Sequence, residues 1–205
     1  RLNLASNDIS EVSLGGTTFI TFTPGNWNVS QTITLNQVDE FLIDGSQTSS
    51  ITASIDITSN AGFVILPSQS VAVTTLDNDV AGITIVVTDN LSSESGDTAQ
   101  FTAQLDAIPT ANVSFDIDTS NTSEAIPLVT QITFTPANWN IPQTVVILGI
   151  DDSPPLSDGS QPVNFRTFNV SSADSGFNAL TDADLADVAI SNQDNDAPGI
   201  ILSLL

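Results

Sequence analysis

The sequence predicts an all-β protein: two tandem immunoglobulin-like antiparallel β-sandwiches, the first lacking its N-terminal strands. Three observations lead there. The octapeptide TFTPGNWN at 21–28 returns as TFTPANWN at 133–140, seven of eight positions being identical and Trp27 and Trp139 lying 112 residues apart. A period of that length is a whole small domain, longer than a solenoid repeat, so the chain reads as tandem modules. Apolar residues also alternate with Thr, Ser and Asp in short runs such as Val113-Ser114-Phe115-Asp116-Ile117, the period-two signature of a half-buried strand. Finally, Asn, Asp, Pro and Gly break every would-be helix except a turn at 181–189, where Ala183, Leu185 and Ala186 sit before the last strand.

In chain order, the first module offers strands at 2–4, 17–23, 31–38, 49–57 and 70–76. The second offers seven, at 82–88, 98–105, 112–118, 130–135, 143–150, 163–170 and 187–191, the number and spacing of an immunoglobulin-type sandwich. Pairing Glu11 with Glu124 sets Arg1 against Ser114, inside the third strand of the second module, so two strands of the second have no counterpart in the first. At the other end GIILSLL, 199–205, aligns with 82–88 and reads as the first strand of a following module or as a donor strand. The expected domains are therefore 1–79, 80–198 and this extra strand. The chain has no initiating Met, no signal peptide and no apolar run approaching the ~20 residues of a membrane helix, as expected of a portion of something longer.

Within the repeated octapeptide, Phe22 and Phe134 with Trp27 and Trp139 are expected to give bulk to the core, Thr-Pro and Asn-Trp-Asn forming the turn between two strands. The alternative is a surface Trp that stacks on a sugar. Asp44-Gly45 and Asp158-Gly159 are tight-turn signals that imply no ligand by themselves.

Composition then narrows the function. There are 24 acidic residues against two basic ones, Arg1 and Arg166, for a net charge of −22. Binding to a phosphate backbone or an anionic membrane needs clustered cations, so nucleic acid and membrane insertion are excluded as partners and cations are favoured. With no Cys, His, Lys or Tyr, the familiar nucleophiles, general bases and transition-metal ligands are missing, and no enzyme is expected. Twenty of the acids are Asp, whose short side chain suits turns and hard-ion loops equally.

The clustered acids recur with the repeat. Asp39-Glu40 and Asp151-Asp152 follow the octapeptides, and each module closes on Asp-Asn-Asp, Asp77-Asn78-Asp79 and Asp194-Asn195-Asp196. Two carboxylates flanking an amide repel one another without a counter-ion, and oxygen-only multidentate loops suit calcium better than magnesium. Asx-turn chemistry in an exposed linker explains the same spacing.

The second module resembles a Calx-beta domain, the repeat of the sodium/calcium exchanger regulatory region and of large bacterial surface proteins. The matching residues are Glu94-Ser95-Gly96 after the first strand, Ile150-Asp151-Asp152 after the fifth, and the closing Asp194-Asn195-Asp196-Ala197-Pro198-Gly199-Ile200. The resemblance implies that Glu94, Asp151, Asp152, Asp194 and Asp196 converge as calcium ligands at one end of the sandwich, with Asp39, Glu40, Asp77 and Asp79 as the equivalents in the first module. It departs from the pattern at Asn195, at Ser123-Glu124 and around 157–161.

These readings converge on an extracellular, cell-surface structural repeat of an adhesin-type protein whose inter-domain hinges stiffen with calcium. Its partners are neighbouring repeats or identical subunits, with host or surface glycans as further candidates. One alternative is a filament subunit in which the 199–205 tail completes the first module of the next copy. The other is a carbohydrate-binding domain built on Trp27 or Trp139.

Overall fold

The alternation read along the chain becomes two β-rich units, Arg1–Asn78 and Asp79–Leu205. The computed structural model describes residues 1–151 and 157–198. Asp152 and the 199–205 strand fall outside the described residues.

In the first unit β1 (Leu2–Ser6), β3 (Phe19–Ile20), β5 (Gln47–Ile55) and β6 (Gln69–Thr75) form one antiparallel sheet in the order β3-β1-β5-β6. Two further strands, β2 (Val12–Ser13) and β4 (Asn36–Gln37), pair only with each other. A single helical turn, α1 (Ala61–Val64), is capped by Asn60, whose side chain accepts from Gly62 N at 3.0 Å. That turn was not expected from the pattern; the Asn cap is the local signal for it. Arg1 lies 3.9 Å from the centre of the Phe19 ring and 3.5 Å from Asp56. Among the described residues, the buried apolar side chains of this unit are Leu4, Val12 and Ile51.

The second unit runs through β7 (Ile83–Asp89), β8 (Leu91–Ser93), β9 (Thr98–Leu105), β10 (Val113–Thr119), β11 (Ala125–Pro127), β12 (Gln131–Phe134), β13 (Gln143–Gly149), β14 (Gln161–Ser172) and β15 (Val188–Gln193). They form two sheets, β12-β10-β14-β15-β8 and β11-β13-β9-β7. Every second residue of β9 is buried, and Phe101, Phe115, Phe134, Phe165 and Phe177 fill the interior between the sheets. This is the two-layer arrangement expected of an immunoglobulin-like sandwich. The short strands β8 and β11 escape a periodicity reading because three residues carry too little pattern.

Three local expectations are corrected. The strand at 31–38 reduces to Asn36–Gln37 and that at 17–23 to Phe19–Ile20. In the second unit β13 is held between β11 and β9, whereas the first unit has no strand equivalent to β9, and an alternating pattern without a neighbour has no ladder to join. The turn at 181–189 is a 3₁₀ turn at Asp182–Asp184: the Asp184 carboxylate accepts from Thr181 N and Oγ, and the chain is extended by Leu185. Trp27 is 71% exposed and Phe22 37%, so neither supplies core in the first unit, although Phe134 is completely buried in the second.

The corner itself is the same in both copies. Asn26 Oδ1 accepts from Thr23 N and Oγ1, and Asn138 Oδ1 from Thr135 N and Oγ1. The first Asn of the Asn-Trp-Asn phrase is therefore a turn lock, substituting a side-chain oxygen for a backbone acceptor.

Candidate metal centre

Parallel pairing of β8 with β15 builds the site in the second unit. The register sets Ser92 against Asn192 and Ser93 against Gln193, so the chain leaves both strands side by side, with Glu94 next to Asp194. Ser92 Oγ donates to Asn192 Oδ1 at 2.9 Å, and Glu94 N donates to Gln193 O at 3.1 Å. Gly96, at φ +104°, then turns the chain back toward β9. A residue with a Cβ rarely adopts that angle, so the loop carrying Glu94 needs glycine there.

Glu94, Asp194 and Asp196 come together here, one carboxylate oxygen of each lying within 4.8 Å of the others. Glu94 and Asp194 are oriented by backbone amides. Asn195 N donates to Glu94 Oε2 at 3.0 Å, Asp196 N to Asp194 Oδ1 at 2.6 Å and Gly159 N to Asp194 Oδ2 at 2.7 Å. The donors from Gly159 and Asp196 hold Asp194 below the usual carboxylate range, keeping it charged. Asp196 Oδ2 is inaccessible to solvent and has no hydrogen-bond partner. A buried carboxylate oxygen without a donor carries a desolvation cost that a bound cation offsets. The donor set is all hard oxygen, which fits calcium.

Of the other residues expected at this end, Asp151 is exposed and lies outside the cluster. Glu124 is buried at its own position and accepts from Asn192 Nδ2 at 3.5 Å. Gly149 on β13 packs tightly beneath: a Cβ there would lie 2.5 Å from Ser93 O, and would also strike Asn192 Oδ1. Gly149→Ala therefore forces β8 away from β13. The expected cost is about 1–3 kcal/mol of unit stability, read by urea denaturation.

The first unit assembles a different cluster from the equivalent end: Glu11, Glu40 and Asp44, again within 4.8 Å. Glu40 was expected. Asp39 is exposed and lies outside the cluster, whereas its neighbour Glu40 is half-buried and joins it. Asp77 is occupied by the Asp44-Gly45 turn, its Oδ2 accepting from Gly45 N at 2.7 Å, as Asp194 does for Gly159. Asp79 begins the second unit and belongs to neither cluster.

Glu11 and Asp44 were missed. Glu11 served only to align the repeats and Asp44 only as a turn signal. The available clue was that Glu11 and Glu124 fall at matched positions of both modules. Glu11 is buried and accepts from Thr75 Oγ1 at 2.5 Å, while Phe41, at φ +63°, bends the loop between Glu40 and Asp44. Such an angle on a bulky residue is strained and persists only where its surroundings hold it.

Desolvation, then a hydrogen bond shared with Glu11 and the like charges of Glu11, Asp44 and Asp8, pushes the Glu40 carboxyl up from its ordinary 4.5. A raised folded-state value stabilises the unit below about pH 4.5, and that contribution is lost as pH rises through the raised value. Glu40→Gln should thus raise the metal-free melting temperature at pH 7 and leave it nearly unchanged below pH 4.5. Melts in EDTA at both pH values read this directly.

Comparison with known proteins places little beside this geometry. No family model matches the chain. No curated protein matches it either. The chain is similar to a crystal structure of domains 4 and 5 of the S-layer protein SbsC, at a TM-score of 0.35 and 11% identity, covering 94% of this chain and 69% of that one. A likeness at that level bears on neither function nor ligand.

Proposed function

We propose that the chain is an extracellular structural repeat of a surface or adhesin-type protein, of Calx-beta type, in which calcium held by Glu94, Asp194 and Asp196 stiffens the module end. The observation that carries this reading is the buried, unpartnered Asp196 Oδ2 beside two amide-oriented carboxylates. Extracellular calcium modules bind at ~10⁻⁴–10⁻³ M, so such a site fills only where calcium is millimolar, outside cells. The role is mechanical: neutralising three carboxylates removes their mutual repulsion and ties the β8 exit to the β15 exit. The cluster of Glu11, Glu40 and Asp44 does the same for the first unit, and the Asp77-Asn78-Asp79 phrase lies in the segment joining the modules. Neighbouring repeats are the natural partners.

Calorimetric titration with calcium chloride, combined with small-angle scattering in calcium and in EDTA, tests the reading. Heat of binding and reduced flexibility are expected. No heat, with scattering dimensions and melting midpoint unchanged, would rule it out.

A further inference from the structure

The geometry of the second unit's acidic cluster depends on an uncharged side chain outside it. Asn192 stands two residues before Asp194, near the end of β15, and is almost wholly buried. Its Oδ1 accepts from Ser92 Oγ on β8 at 2.9 Å. Its Nδ2 donates to Ile150 O, just past β13, at 3.3 Å and to Glu124 Oε2, just before β11, at 3.5 Å. Ile150 N in turn donates to Glu124 O at 2.8 Å. These bonds cross the sandwich, since β8 and β15 lie in one sheet and β11 and β13 in the other. Gly149 permits the crossing, because a Cβ there would strike Asn192 Oδ1.

The first unit has the same connection in reduced form. Thr75 stands two residues before Asp77, as Asn192 does before Asp194, and donates to Glu11 Oε2 as Asn192 does to Glu124. Val38 N donates to Glu11 O at 2.9 Å, matching the bond from Ile150 N to Glu124 O. A buried glutamate tied to the closing strand is therefore a property of the repeat. Thr75 has one hydroxyl proton, shared between Glu11 and Gln47 O. The asparagine amide has two donors and an acceptor oxygen, so Asn192 joins three partners where Thr75 cannot. The first unit uses Glu11 itself in its acidic cluster, whereas the second leaves Glu124 outside and gathers its carboxylates at the exits of β8 and β15.

The extra partner matters because β8 is short. It has three residues and meets β15 at three register pairs, of which Ser92 with Asn192 is the central one. The pairing is parallel, the weaker kind per residue. Glu94 follows β8 directly, so its carboxylate stays within 4.8 Å of those of Asp194 and Asp196 only while that ladder keeps its register. We propose that Asn192 is the positioning residue of the candidate metal centre: it fixes the exits of β8 and β15 against the opposite sheet and so sets the spacing of Glu94 from Asp194 and Asp196. The proposal rests on the calcium reading for the identity of the ion alone, since the hydrogen bonds that hold the loop are made within the chain.

Two readouts on the full chain separate the geometry from the ion. In EDTA, hydrogen exchange at Glu94 N, which donates to Gln193 O, should accelerate about tenfold or more in Asn192→Ala. Ser92→Ala deletes only the bond to β8 and should do the same, which keeps the test available if Asn192→Ala does not fold. Val145→Ala, a cavity in the sandwich interior, should leave exchange at Glu94 as in the wild type. Calorimetric titration with calcium chloride should then give affinities about fivefold or more weaker in the Asn192 and Ser92 variants and unchanged in Val145→Ala. A merely structural Asn192 would lower the melting temperature and leave both readouts alone. Unchanged exchange at Glu94 in both variants overturns the proposal, as does a calcium affinity that both retain or that Val145→Ala loses equally. Should the wild type take up no calcium while exchange at Glu94 responds as expected, the calcium reading falls and the positioning role of Asn192 stands.

Discussion

Replacing Phe134 by alanine should cost the second unit about 3–5 kcal/mol, while the matched replacement of Phe22 should cost the first unit only about 1 kcal/mol. The two residues are the same letter of the same octapeptide. Phe134 is completely buried among the phenylalanines of a closed sandwich, so its deletion loses transfer energy and leaves a cavity that close-packed neighbours collapse only in part. Phe22 faces an open groove, where water enters the space vacated and no cavity term arises. Differential scanning calorimetry of the chain, with one transition per unit, reads both. The Phe134 variant should lower its transition by on the order of 10 °C, and the Phe22 variant by a few degrees. Equal losses would mean that the groove is closed in solution.

That contrast shows what the sequence could and could not specify. The octapeptides, the alternation and the turn residues marked two β modules, because they are local signals that fold with a short range of influence. The same pattern at 31–38 and at 143–150 predicts the same strand, yet only the second forms a full ladder. Alternation states which face is apolar; pairing needs a neighbouring strand, and that lies outside the window being read. The Trp of the motif was misplaced in the first unit for the same reason, since burial depends on the opposing sheet.

The candidate site was legible in part for a related reason. Glu94 and Asp194 lie a hundred residues apart, and nothing local joins them. The likeness to a known repeat suggested the pairing, and the parallel β8–β15 register gives it a physical basis. Asp151 and Asp39 are implied as ligands by the resemblance, but both are exposed and lie outside the clusters. Glu11, buried and bonded to Thr75, reads in the sequence as an alignment marker and is a member of the first unit's cluster.

Glu94→Gln should remove about half or more of the calcium-dependent stabilisation of the second unit without weakening the metal-free fold. Gln keeps an oxygen to accept from Asn195 N, so the loop after β8 retains its hydrogen bond. It removes one negative charge from a group of three, which lowers repulsion when no cation is present. In ~10 mM calcium, a site with a dissociation constant of ~10⁻⁴–10⁻³ M gains about 1.4–2.7 kcal/mol by mass action. For a unit of this size that raises the melting temperature by a few degrees to about 10 °C. Loss of one ligand carboxylate, weakening binding tenfold or more, reduces the gain below about 1.5 kcal/mol at the strong end and to a few tenths at the weak end. Magnesium at the same concentration should do less, because it demands a smaller octahedral shell and releases its waters reluctantly. The effect should survive mild acid, since the backbone donors that hold Asp194 charged keep it a ligand until the pH falls below the ordinary aspartate value of 3.8. An identical calcium increment in the wild type and the variant would show that the cation binds elsewhere, and stabilisation of neither would leave the buried Asp196 oxygen without the counter-ion assigned to it.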